Sequence, residues 1–232
     1  MNWDLKMGVI VPSWNTVMEY EFQRMGSGRM SVHSERIRHT ADTEDNLLWL
    51  STQAPAAAEL LSHAKVNAIC YGCTASGFLK HPDEDTALAR EIEEKVYIPT
   101  VTSSDSIVRA LKAVGARKVS AASPYEPWLN DRLKVYLEAA GFEVVALKGL
   151  GTQAHGSIST DKVKALAAEV LRPDTEAVFI SCSNFRTLDI IEEVERSSGR
   201  PVITSNQAAL WGALRHIGDR RVVAGAGSLF NY

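Results

Sequence analysis

The feature that most constrains this chain is that it repeats its own plan. Short β-branched runs alternate with longer helical patterns: KMGVIVP, a helix from about Thr16, a strand in RMSVHSERI, a helix from about Thr43 to His63, and the strand VNAICYGC. The second half repeats the sequence of elements with KVSAASP, the helix WLNDRLKVYLEAA stopping at Gly141, the strand FEVVALKG, a helix from Ser159 to Leu171, and the strand AVFISCS. Strands that alternate with helices build a parallel sheet covered on both faces. The expected fold is therefore α/β, with two pseudosymmetric halves, each a parallel sheet flanked by helices. The halves are drawn as residues 1–103 with 206–232, and residues 104–205.

The repeat also holds at single residues. Pro99, Thr102 and Ser103 match Pro201, Thr204 and Ser205; each set precedes a helix that stops at a glycine, Gly115 or Gly218, in the position where a left-handed residue ends a helix. Pro12 and Pro124 close corresponding strands, and Cys73 ends its strand where Cys182 ends its counterpart. Parallel sheets bind ligands beyond the C-terminal ends of their strands. The repeat therefore puts both thiols on the expected active face, whereas Cys70, three residues earlier in an apolar run, reads as core.

Small polar residues follow each thiol, Thr74 and Ser76 after the first and Ser183 and Asn184 after the second. Read as strand-to-helix turns, these segments present backbone N–H groups that stabilise an anion and lower a thiol's pKa. Asn15, Ser13, Tyr125 and the two Thr-Ser pairs also fall at strand C-termini. For Asn15 and Ser13 helix capping weighs as much as ligand binding, and for Tyr125 so does packing on the next helix. His33, Arg36, Arg38 and His39 read as solvated or structural, and Trp49 as core.

Composition narrows the function classes. A net charge of −3 gives no electrostatic reason for nucleic acid or an anionic membrane, and no run approaches the about 20 apolar residues of a membrane span. A small molecule in the cytoplasm is the default partner. Cys70 and Cys73 form a C-x-x-C with no second pair, and GSGRM lacks the Lys and Ser/Thr of a phosphate loop, so neither a metal nor a nucleotide is expected.

At VPSWNTVMEYE, VHSERIR and SCSNFRTLDIIEEVERSSGRPVITSNQAALW the chain resembles the aspartate/glutamate racemase superfamily, and within it the group of maleate cis-trans isomerase and arylmalonate decarboxylase. The resemblance implies an active site between the halves, no cofactor, a small carboxylate or dicarboxylate substrate, and a homo-oligomer, dimer or tetramer. It implies that Cys73 and Cys182 are catalytic, that Asn15 and Tyr125 hold substrate carboxylate, and that Thr74, Ser76, Ser183 and Asn184 supply turn donors. The decarboxylase carries glycine at the position of Cys73, which disfavours that activity. The expected function is maleate-to-fumarate type isomerisation through a Cys73 adduct with Cys182 as acid/base; racemisation of an amino acid or hydantoin, decarboxylation, and ligand binding without turnover are the alternatives. Trp14 and the Ser-Asn-Phe-Arg run after Cys182 depart from the isomerase pattern, and Trp14 and Phe185 are expected to shape the pocket.

Overall fold

A computed structural model describes residues 3–232; residues 1 and 2, the start of the expected first half, lie outside the described residues. In chain order, residues 3–113 contain β1 (Leu5–Pro12), α1 (Met18–Met25), β2 (Met30–Ile37), α2 (Glu44–His63), β3 (Ala68–Tyr71), α3 (Thr74–Phe78), α4 (Pro82–Val96), β4 (Thr100–Thr102) and α5 (Ser103–Ala113). Residues 118–216 contain β5 (Lys118–Ser123), α6 (Pro127–Ala139), β6 (Glu143–Gly149), α7 (Thr160–Val170), β7 (Ala177–Ile180), α8 (Ile191–Ser198), β8 (Val202–Thr204) and α9 (Ser205–His216). Their sheets run β2-β1-β3-β4 and β6-β5-β7-β8, and every pair of neighbours is parallel. Both sheets thus have the same order, with β1, β2, β3 and β4 corresponding to β5, β6, β7 and β8.

The central strands explain why the repeat was legible. β3 (AICY) and β7 (AVFI) are buried at every position, as strands covered on both faces must be, so their sequences are unbroken apolar runs. Helix α4 is not among the expected elements, although Pro82 occupies its first turn and His81 with Glu84 form a capping box. Trp49 corrects another expectation. On α2 the residues Leu47, Leu50, Ala54, Ala57, Ala58 and Leu61 form the buried stripe; Trp49, two residues past Leu47, points the other way and is 41% exposed.

The halves meet through α5 and α9, each of which follows the last strand of its own sheet. α9 packs on α5 and reaches β3 and β4 of the first sheet, and its residues Ser205 to Leu214 are all buried. Close approach requires small residues: a Cβ on Gly212 would lie 2.5 Å from Ser106 Oγ. Gly115 and Gly218 take φ of +76° and +79° just past the two helices, the matched C-terminal stops expected from sequence. Among the described residues no helix is long and apolar enough to cross a membrane.

Candidate active site

One small cavity brings together the C-terminal ends of β1, β3, β5 and β7. Its lining includes Cys73 and Cys182 together with Asn15, Thr74, Tyr125, Ser183 and Asn184, seven of the eight residues expected at the site. The eighth, Ser76, turns away: it is fully buried and its Oγ accepts a hydrogen bond from Tyr71 at 2.9 Å. Phe185 also departs from expectation. It is 0% exposed, within the hydrophobic core, and does not line the cavity, whereas Trp14 does.

Cys73 is the N-cap of α3, and the N–H groups of Ala75 and Ser76 point at its sulfur, as a strand-to-helix turn predicts. Cys182 differs. No regular helix follows it, and residues 183–187 form an irregular turn in which the Asn184 N–H reaches back to its sulfur at 3.4 Å. Its own N–H donates to Ser205 Oγ at 2.9 Å, and its φ is +101°, a strained value for any residue with a side chain. The expected lowering of the thiol pKa is not what this cavity produces. Burial outweighs the turn donors and pushes both thiols up to about 12. Cys70, in the core of β3, is pushed up to about 12 for the same reason.

Asn15 performs both tasks weighed for it. Its Oδ1 accepts from the N–H groups of Val17 and Met18 at 3.0 Å, holding the turn into α1, while Nδ2 donates to Ser183 Oγ at 3.1 Å. Ser183 Oγ then donates to Gly72 O at 2.7 Å, so a single chain of bonds ties the β1, β3 and β7 ends together. Asn184 adds a second tie, accepting from the Thr16 N–H at 2.9 Å. Arg36 braces the same turn through the carbonyls of Ser13 and Asn15, a structural role in keeping with its sequence reading. Ser13 Oγ accepts from the His39 N–H at 2.9 Å, and His33 pairs with Ser31 Oγ. Tyr125 is 2% exposed; burial pushes its phenol well above its usual pKa, so it remains a neutral donor beside Cys182.

The Thr-Ser pairs mostly serve the scaffold. Thr102 and Thr204 cap α5 and α9 through Asp105 N and Gln207 N, and neither lines the cavity. Ser205 contributes through its bond to the Cys182 backbone. Of the two readings of His39 the solvated one fails: it is 6% exposed, lines the cavity and packs edge-on against Trp14 with ring centroids 4.0 Å apart.

Two polar lining residues carry no sequence expectation at all, Asp42 and His155. Both lie in irregular connections, Asp42 between β2 and α2 and His155 between β6 and α7, where neither periodicity nor motif singles them out. Burial pushes the His155 imidazole down, while Asp42 nearby pulls it back up. Among the described residues no group of three or more His, Cys, Asp or Glu side chains is arranged to hold a metal ion.

The cavity measures about 20 Å³, room for about one water molecule. An organic acid therefore enters only when a wall moves. Residues 38–43, which carry His39 and Asp42, form one of the walls without helix or strand.

Comparisons with known proteins bear on the family and the fold. The model of the arylmalonate decarboxylase family matches residues 8–230. A maleate isomerase of Pseudomonas putida is 27% identical over 97% of each chain, and an arylmalonate decarboxylase of Bordetella bronchiseptica is 30% identical over 68% of each. Among solved structures, a mutant of the Nocardia farcinica maleate cis-trans isomerase with a covalently bound succinylcysteine intermediate superposes with a TM-score of 0.92 at 25% identity, covering 97% of this chain and 98% of that one.

Proposed function

The chain belongs to the arylmalonate decarboxylase family, and from that premise we propose that it converts maleate, or a closely similar cis-dicarboxylate, to the trans isomer using two of its own thiols. The observation that carries this reading is the convergence of Cys73 and Cys182, from matching strand ends of the two halves, on one cavity. Most donors around them come from neutral groups: the Asn15 and Asn184 amides, the Tyr125 phenol, the Thr74 and Ser183 hydroxyls and the turn N–H groups. Such donors suit a carboxylate whose charge spreads as the reaction proceeds.

In the proposed sequence the Cys73 thiolate attacks one alkene carbon, forming a C–S bond, and the π electrons move into the adjacent carboxylate as an enediolate. Cys182 gives its proton to the carbon that carries this charge. The former double bond is now single and rotates. Cys182 then takes the proton back, the C–S bond breaks, and the trans alkene leaves. The succinylcysteine held by the Nocardia relative is the species such an addition produces. A one-thiol decarboxylation would leave Cys73 without a task.

Proton NMR of the protein with maleate in deuterated water tests this directly. Fumarate should appear with wild type and vanish with Cys73→Ser, while Cys182→Ser should leave a mass increase of one maleic acid on Cys73. Absence of fumarate, together with carbon dioxide release from an arylmalonate or α-proton exchange of aspartate or a hydantoin, overturns the reading.

A further inference from the structure

The sequence of steps above leaves the two unexpected residues of the cavity unused, and their placement is specific. His155 Nδ1 lies 3.5 Å from Cys182 Sγ. On the opposite edge of the ring, Nε2 lies 3.5 Å from Asp42 Oδ2, and the other carboxylate oxygen of Asp42 lies 3.3 Å from His39 Nε2. The side chains of His39, Asp42 and His155 are at most 8% exposed. Thiol, imidazole and carboxylate thus stand in line, with the imidazole between a sulfur and the carboxylate that orients its ring.

The electrostatics of the cavity give this order a purpose. Two buried thiols must alternate as thiolate and thiol, yet among the described residues no Lys or Arg lines the cavity, and the only basic side chains there are His39 and His155. The titratable groups facing His155 are Asp42 and His39 from the β2–α2 connection, Tyr125 after β5 and Cys182 after β7. Of these Asp42 alone stabilises a cation on the ring. A carboxylate on the Nε2 side fixes a proton there and leaves Nδ1 facing the sulfur.

We propose that His155, oriented by Asp42, supplies the positive charge that stabilises the Cys182 thiolate between its two proton transfers with substrate carbon. The proposal rests on the reading of Cys182 as the acid/base of the reaction. While the cavity is open, the Cys73 thiol loses its proton and the His155 imidazole gains one through solvent, so the net charge of the site is unchanged. When the Cys182 S–H bond breaks and the new C–H bond forms, the electron pair stays on sulfur. The thiolate then accepts a hydrogen bond from Nδ1–H of the imidazolium, whose charge Asp42 balances. As the thiolate recovers its proton from carbon, the imidazolium again faces a neutral thiol.

His155 Nε2 is buried and has no closed hydrogen bond. Asp42, 3.5 Å away, sits on residues 38–43, one of the irregular walls whose movement would admit a ligand. Settling of that wall over the substrate closes the gap, in the manner of catalytic hydrogen bonds that tighten only in the complex.

The test reads the thiol itself as well as turnover. Wild type, His155→Asn and Asp42→Asn are treated with iodoacetamide across the neutral pH range, and alkylation at Cys73 and Cys182 is quantified separately by peptide mass spectrometry. Alkylation of Cys182 in wild type should persist to lower pH than in either variant, with the Cys73 profile changed less. Maleate turnover should fall on the order of 100-fold in His155→Asn, the usual contribution of a positioned acid or base, while KM changes little. An unchanged Cys182 profile in both variants, or equal changes at the two thiols, overturns the proposal. Should wild type fail to isomerise maleate, the functional reading falls, and the contrast between the two alkylation profiles still decides the role of His155.

Discussion

Glu21 offers a demanding test of how the two halves are held together. From the buried face of α1 it reaches into the second half, where Oε1 accepts from the N–H groups of Thr187 at 2.7 Å and Leu188 at 2.8 Å, and Oε2 accepts from Asn206 Nδ2 at 2.7 Å. The residue is 3% exposed, so Glu21→Ala strands three donors where water has little access. At about 1–3 kcal/mol for each stranded donor, the gross cost is ~3–9 kcal/mol. Part is returned, because burial pushes the Glu21 carboxyl up and its charged form already bears a desolvation penalty. A net loss of ~3 kcal/mol is expected from urea unfolding of purified protein. Glu21→Gln separates the causes: it keeps an acceptor for both backbone N–H groups but sets an amide N–H₂ against Asn206, and should cost about half as much. Asn206 Nδ2 also donates to Ser183 O at 3.0 Å, so both variants should slow turnover through the cavity wall. A Glu21→Ala protein as stable as wild type, or a Glu21→Gln protein less stable than Glu21→Ala, would refute the account.

Asp85 makes stability depend on pH. Chiefly through burial, its carboxyl is raised from 3.8 to about 7 despite bonds from Thr102 and the Asp105 N–H. Between those values the folded chain holds a proton that the unfolded chain has released, so stability is greatest near the lower value and falls as pH rises, by up to ~4 kcal/mol. Asp85→Asn should flatten that slope in denaturation series collected from acid to neutral pH; an unchanged slope refutes the assignment. At Cys182 the φ of +101° predicts that Cys182→Gly melts higher than Cys182→Ala, by the equivalent of about 1–2 kcal/mol, with neither variant turning over substrate. Trp14→Ala removes a cavity wall stacked on His39, and should raise KM for maleate while improving the relative kcat/KM for an alkyl-substituted maleate.

What the sequence made legible was everything that repeats. Cys73 and Cys182 were identifiable because each lies two residues past a fully buried strand at the same place in a duplicated unit, and such strands leave apolar runs that are easily read. Asn15 and Tyr125 follow Pro12 and Pro124, which punctuate β1 and β5 in the same way. Ser76 and Phe185 were misplaced because proximity to a cysteine in sequence does not fix a direction: Ser76 turns to Tyr71, and Phe185 enters the core. Asp42 and His155 were invisible because they sit in connections of different length in the two halves, where the repeat lapses. The thiol pKa was misjudged in sign, because turn donors can be read from a motif whereas the degree of burial depends on residues far away in the chain.

The closeness of the cavity bears on how long such a catalyst lasts. Cysteine oxidation begins with an exposed thiolate, and here Cys73 and Cys182 are 5% and 7% exposed, neutral at rest, behind a space that admits about one water molecule. The wall that slows a substrate's entry slows a peroxide or a low-molecular-weight disulfide as well. The thiols are therefore open to damage only during the interval in which they are open to chemistry, and an oxidised site is a by-product of turnover rather than of age.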